Sequence, residues 1–163
     1  MKILAFDQST QKTGWAVFEN GILLRSGVFD FHKEKDISKR SYEFWTRAHG
    51  LVVDEQPDMI AAEGVSLQNP NVKTIVELAR VQGVIQAASY TDDRQIPTEF
   101  YMPATWRKVV GIQTGRGIKR AELKKAAIEL VSLIYGKQVT DDEADAILIG
   151  RAMTVLTADN KES

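Results

Sequence analysis

The sequence predicts an α/β fold in which a mixed five-stranded sheet, an antiparallel meander of strands 1–3 followed by parallel strands 4 and 5, is flanked by helices. Three observations predict it. Two strand-like runs near the start are joined by Asn20-Gly21, and two wholly apolar runs, Ile3-Leu4-Ala5-Phe6 and Met59-Ile60-Ala61-Ala62, each end in an acid. From Ile37 onward, helical stripes alternate with short strands.

Lys2 to Asp7 reads as strand 1, Trp15 to Glu19 as strand 2 and Ile22 to Phe31 as strand 3. Asn20-Gly21 is a hairpin signal, because a type I′ turn needs positive φ at both central residues. Ile37, Phe44, Trp45, Ala48, Leu51 and Val52 form one helical stripe that stops at Gln56-Pro57, and Met59 to Glu63 is strand 4. After a loop over Gly64 to Asn71, a second helix carries Val72, Ile75, Leu78, Ala79, Gln82, Ile85 and Gln86. Ile96 to Met102 is strand 5, and Pro103 opens a short helix through Val110, proline being favoured at a first helical position. Gly111 to Gly117 reads as a mobile loop, Lys119 to Tyr135 as a third long helix and Thr140 to Thr157 as the last. The expected organisation is one domain over residues 1–157 with a disordered tail at 158–163.

Composition narrows the function classes. The 163 residues are 44% hydrophobic, enough for a real core. The absence of cysteine excludes disulfide frameworks, thiol nucleophiles and Cys-ligated zinc. Asp7 interrupts the first apolar run too early for a signal-peptide core, and no run approaches a membrane span, so a cytoplasmic, non-membrane protein is expected. The net charge of −1 conceals a segregation. Arg107, Lys108, Arg116, Lys119, Arg120, Lys124 and Lys125 cluster in one segment, while Asp141, Asp142, Glu143 and Asp145 cluster in another. An acidic pocket beside a basic rim can hold metal ions and phosphates together, although a solvated helix face would also explain the basic segment.

The acids carry the chemistry. Asp7 and Glu63 sit at the ends of strands apolar on both faces, where an ionised group needs a cation or water. A strand-ending Asp that accepts hydrogen bonds from the turn is the competing reading of Asp7. In the last helix, Thr140 as N-cap with Glu143 three residues on fits a capping box, and acids in a first turn meet the helix dipole favourably. That covers Asp141, Asp142 and Glu143 but not Asp145, which lies on the stripe of Leu148, Ile149, Ala152, Val155 and Leu156, with Asp142 on the same face. Asp7, Glu63, Asp142 and Asp145 could together form an oxygen-only cage for hard ions, Mg²⁺ or Mn²⁺. Two such ions roughly 4 Å apart activate a water and stabilise the leaving oxygen of a phosphodiester. The two histidines, His32 and His49, read as structural or solvated, and Ser9, Thr10 and Thr13 as turn formers.

These residues resemble a known family. Ile3-Leu4-Ala5-Phe6-Asp7-Gln8-Ser9 with Thr13-Gly14-Trp15, the strand from Pro57-Asp58 to Ala62-Glu63 and the helix start Asp142-Glu143-Ala144-Asp145-Ala146 are similar to the RuvC Holliday-junction resolvases. Arg80-Val81-Gln82-Gly83-Val84 and Val109-Val110-Gly111 extend the similarity, which runs to about Thr157. The resemblance implies an RNase H-like fold, a homodimer, two Mg²⁺ ions per site and paired nicking of four-way DNA junctions. It assigns the metal ligands to Asp7, Glu63, Asp142 and Asp145. It also places the family's basic residue after the glycine loop at Lys119, beside the scissile phosphate, and makes Arg107, Lys108, Arg116 and Arg120 candidate DNA contacts.

One departure stands out. Bacterial members carry a base-stacking aromatic three positions after the strand-4 acid, where this chain has Ser66, with Leu67 the apolar neighbour. The compact, divergent sequence is what a phage version would have. Three other readings differ in what they require. An actin-like sugar kinase needs a second phosphate hairpin and a longer chain, an RNase H-like nuclease acting on other branched DNA or on RNA shares the metal chemistry, and a non-catalytic junction-binding dimer would tolerate loss of an acid.

Overall fold

The computed structural model describes residues 1–66 and 71–159. Five strands, β1 (Lys2–Gln8), β2 (Lys12–Glu19), β3 (Ile22–Asp30), β4 (Met59–Glu63) and β5 (Thr98–Tyr101), form one sheet in the order β3-β2-β1-β4-β5. Pairing is antiparallel across β3-β2-β1 and parallel across β1-β4-β5, the mixed sheet the sequence predicts. The helices are α1 (Ile37–Glu55), α2 (Val72–Ala88), α3 (Pro103–Val109), α4 (Arg120–Tyr135) and α5 (Asp141–Asp159). Among the described residues no helix is long and apolar enough to cross a membrane.

Local chemistry sets the boundaries. Asn20 and Gly21 have φ of 51° and 82°, the left-handed pair that the β2–β3 turn demands. Asp36 caps α1 by accepting from the Ser38 and Lys39 N–H groups at 2.8 and 3.2 Å. Gln56 ends α1 in a left-handed conformation, returning its N–H to the Val52 carbonyl just before Pro57. Strand β5 is shorter than the apolar run. Ile96 is buried before the strand begins, and Pro97 contributes only its carbonyl, to Ile60 N–H at 2.8 Å, having no N–H of its own. Ala158 and Asp159, expected in a disordered tail, belong to α5, and the rest of that expected tail, 160–163, lies outside the described residues.

Strand alternation divides the core in two. Ile3 and Ala5 of β1 and Met59 and Ala61 of β4 pack with α3, α4 and α5. Leu4, Phe6, Ile60 and Ala62 pack with α1 and α2. Asp7 and Glu63 follow the odd-numbered set, so both carboxylates leave the sheet on the α5 side. Three expected core positions are not core. Ile37 and Trp45 are exposed on α1, while Phe44, Ala48, Leu51 and Val52 carry its contact, and Val155 is exposed near the end of α5. Thr13 is not a turn former. It is fully buried in β2, and its Oγ1 has no hydrogen-bond partner among the described residues. Ser9 does form the turn, its Oγ donating to the Lys12 carbonyl and accepting from Lys12 N–H at 3.1 Å. The segment after α3 has no regular structure, though buried Ile112 anchors its start.

Two glycines let α5 lie against the sheet. Asp7 pairs with Gly14 across β1 and β2, and a Cβ on Gly14 would stand 1.8 Å from the main-chain oxygen of Asp142. Farther along, a Cβ on Gly150 would meet the Phe18 ring at 2.5 Å and the Ala5 Cβ at 3.2 Å. The Phe18 side chain can shift; the Asp142 backbone cannot without moving the helix. We therefore expect Gly14→Ala to destabilise the protein by about 3 kcal/mol or more through overpacking. Thermal unfolding would show this as a drop of roughly 10 °C in Tm, and an unchanged Tm would contradict the contact.

Candidate active site

The sheet and α5 bring four acids from three separated segments to one cleft. Asp7 and Glu63 come from adjacent parallel strand ends, and Asp142 and Asp145 from the first two turns of α5 held on Gly14. The cleft measures about 470 Å³ and is also lined by two further acids, Glu77 and Asp141, and by Gln8, Ser9, Thr10, Ser66, Arg107, Arg120 and Lys124.

Burial makes this a costly place for negative charge. The Asp7 carboxyl is pushed well above its ordinary value, first by burial and then by repulsion from Glu63, Asp145 and Asp142. Burial lifts Asp145 to about 7, against the opposing pull of Arg107. Glu63 and Asp142 are raised by burial as well, Glu63 in spite of Arg107 and of a hydrogen bond from Trp106. One cation stands inside the group. Arg107 Nη2 lies 3.6 Å from Asp145 Oδ2, and its guanidinium stacks 4.6 Å from the centre of the Trp106 ring.

Neighbouring acids are used differently. Asp141 is ion-paired with Lys124, which holds its carboxyl below the ordinary range. Glu143 does not close the reciprocal half of a capping box. Its N–H donates to Thr140 Oγ1 at 3.3 Å, but its carboxylate crosses to β3, accepting from Ser26 Oγ at 2.7 Å and Lys137 Nζ at 2.7 Å. Of the three first-turn acids, Asp141 and Glu143 are thus held by lysines, while Asp142 joins Asp145 in the cleft without one.

The basic candidates separate by position. Arg107 and Arg120 line the cleft, whereas Lys119 is exposed at the N-cap of α4, its N–H donating to Glu122 Oε2 at 2.6 Å. Lys108 and Arg116 are exposed. Ser66 lines the cleft, and Leu67 lies outside the described residues. Neither histidine enters: His32 contacts Asp30 and His49 the Ala88 carbonyl. Sequence reasoning missed Trp106, whose indole N–H donates to Glu63 Oε2 at 3.2 Å while the ring is fully buried. An aromatic immediately before a basic residue in the short helix after strand 5 was the available signal.

The donor set, carboxylates only, fits a hard divalent ion. The four acids surround one cleft, yet among the described residues no three Asp, Glu, His or Cys side chains are already gathered closely enough to hold a metal ion. Arg107 supplies the compensating charge in this arrangement.

A sheet in this order, with a carboxylate-lined cleft where its central parallel strands end, is the RNase H-like nuclease fold. A family model, crossover junction endodeoxyribonuclease RuvC, matches residues 3–154, and the chain belongs to that family of junction-resolving nucleases. Among solved structures, Thermus thermophilus RuvC in complex with a Holliday junction substrate superposes with a TM-score of 0.74 at 14% identity, over 97% of this chain and 96% of that one. The yeast mitochondrial Holliday junction resolvase Ydc2 gives 0.62 at 15% identity, over 98% and 80%. Fowlpox virus resolvase with its junction DNA gives 0.59 at 17%, over 96% and 99%. At these identities the likeness is one of fold. A search of curated proteins finds no match.

The raised carboxyls make stability depend on pH in a defined direction. Asp145 binds its proton more tightly folded than unfolded, so its contribution is complete below about pH 4 and is lost as pH rises through about 7. Asparagine cannot ionise. Without divalent ions, Asp145→Asn should therefore melt higher than wild type at pH 8, by roughly 5 °C, with the gap narrowing toward pH 4. Equal gaps at both pH values in scanning calorimetry would refute the burial of this charge.

Proposed function

We propose that this chain is a cytoplasmic, Mg²⁺-dependent endodeoxyribonuclease that acts as a homodimer and resolves four-way DNA junctions by paired phosphodiester hydrolysis. The observation that carries the reading is the convergence of Asp7, Glu63, Asp142 and Asp145 on one cleft rimmed by Arg107, Arg120 and Lys124, in a chain of the RuvC family. One chain has acids for one such site, and two opposed nicks need two.

Asp7, Glu63, Asp142 and Asp145 would hold the metal, which when bound supplies an activated water and charge stabilisation at phosphorus. The chain's own residues do the rest. Burial disfavours the charged forms of the carboxylates and makes them dependent on positive charge. Arg107 and Arg120 are placed to receive the phosphate that enters beside these acids. Trp106 orients the Glu63 carboxylate through its indole N–H. Lys119, Lys108 and Arg116 are exposed and would add contacts to the phosphate backbone. Ser66 cannot stack on a base, where an aromatic contributes roughly 1–3 kcal/mol, so recognition rests on junction shape and phosphates.

The test is incubation of a labelled four-way junction, matching duplex and RNA–DNA hybrid in Mg²⁺. Paired nicks confined to the junction are expected, and hybrid-only cleavage would transfer the chain to the RNA-directed class. Asp145→Asn removes a proposed ligand and should lose more in cleavage rate than the roughly 10- to 100-fold that loss of a ligand-orienting group costs, while binding the junction as tightly as wild type or more so. Near wild-type nicking by that variant would overturn the four-carboxylate site.

A further inference from the structure

The last β1–β4 pair is Phe6 with Ala62, one residue short of Asp7 and Glu63. Beyond it the strands are joined through a side chain. Gln8 Oε1 accepts from the Glu63 main-chain N–H at 3.2 Å, and Gln8 Nε2 donates to the Glu63 carbonyl at 2.5 Å. The primary amide thus presents one donor and one acceptor to a single residue, as a peptide group does in a ladder. Gln8 is only 6% exposed, so water does not compete freely for these bonds. From α2, Gln82 Nε2 donates to the same carbonyl at 3.1 Å. Alternation sends Gln8 to the α1 and α2 face while Asp7 and Glu63 leave on the other, so the main chain of Glu63 is gripped from one side and its carboxylate from the other, by Trp106.

We propose that Gln8 is a positioning residue that fixes the separation of Asp7 and Glu63, and through it the affinity of the cleft for a divalent cation. The proposal rests on the four-carboxylate reading above. Parallel strands diverge where their ladder stops, and the two acids stand at that point of divergence. Asp7 is covalently next to Gln8, and Glu63 is bound to Gln8 through both main-chain polar groups, so one amide couples the two acids. Gln82 holds the Glu63 carbonyl but has no contact with its N–H, which makes it the lesser partner.

The experiment measures Mn²⁺ binding by titration calorimetry on the full chain, together with kcat and KM for junction cleavage, in wild type, Gln8→Leu, Gln82→Leu and Glu63→Gln. Leucine is close to glutamine in size and removes both bonds. Gln8→Leu should weaken Mn²⁺ binding about 10- to 100-fold, the usual cost of losing a group that orients a metal ligand, and should lower kcat with little change in KM. Gln82→Leu should show a smaller loss in the same direction. A merely structural glutamine would lower Tm and leave the Mn²⁺ affinity of the folded protein unchanged. Wild-type affinity in folded Gln8→Leu overturns the proposal. Should that variant not fold, wild-type affinity in Gln82→Leu does so. If Glu63→Gln binds Mn²⁺ as wild type does, the four-carboxylate reading itself fails. Loss in Glu63→Gln without loss in Gln8→Leu removes the positioning role alone.

Discussion

The main-chain contact between Gly14 and Asp142 is the constraint on which the site depends. Asp7 pairs with Gly14 within the sheet, and Asp142 sits on Gly14 from the helix above it, so one missing Cβ brings the start of α5 to the end of β1. Gly150 does the same for the far half of the helix against Phe18 and Ala5. Between these contacts Ala146, Ile147, Leu148 and Ile149 are buried, and their burial holds the helix where its acids are least comfortable.

That discomfort organises the electrostatics. Acids at the edge of α5 find lysines, Asp141 from α4 and Glu143 from the segment before α5. Asp7, Glu63 and Asp145 find Arg107, whose planar guanidinium is braced by Trp106. Trp106 therefore has two roles from one buried position: its face supports the cation and its edge holds Glu63. The α3 helix that carries both residues is short, and its placement is owed to Pro103 at its start and to the burial of Trp106.

Much of this was legible in the sequence because the signals are local. The apolar run of β1, the Asn20-Gly21 turn, the start of α3 at Pro103 and the offset of Asp145 from a capping pattern all depend on near neighbours. What escaped depends on contacts across the fold. Gln8 and Glu63 are 55 positions apart and Trp106 is 43 positions from Glu63, distances at which side-chain pairing leaves no periodic trace. Ile37 and Trp45 fit the α1 stripe by spacing, yet the stripe is wider than the surface that the sheet and α2 can cover. Thr13 reads as a turn former with Ser9 and Thr10, since no base stands beside these hydroxyls in the sequence. In fact β2 starts at Lys12, earlier than its apolar run, since the strand pairs with the polar end of β1.

The alternation along β1 has an evolutionary consequence. Asp7 and Gln8 are consecutive and both line the cleft, but their side chains alternate, Asp7 toward the other acids and Gln8 into the seam between β1 and β4. Removing or adding a single residue within β1 would exchange them, sending an amide to the acids and a carboxylate toward α2. Length variation in this lineage should therefore be excluded from β1 and β4 and collect where the chain makes no register, at the Asn20-Gly21 turn and between α3 and α4. The strands that carry the chemistry are the segments in which substitutions can accumulate but gaps cannot.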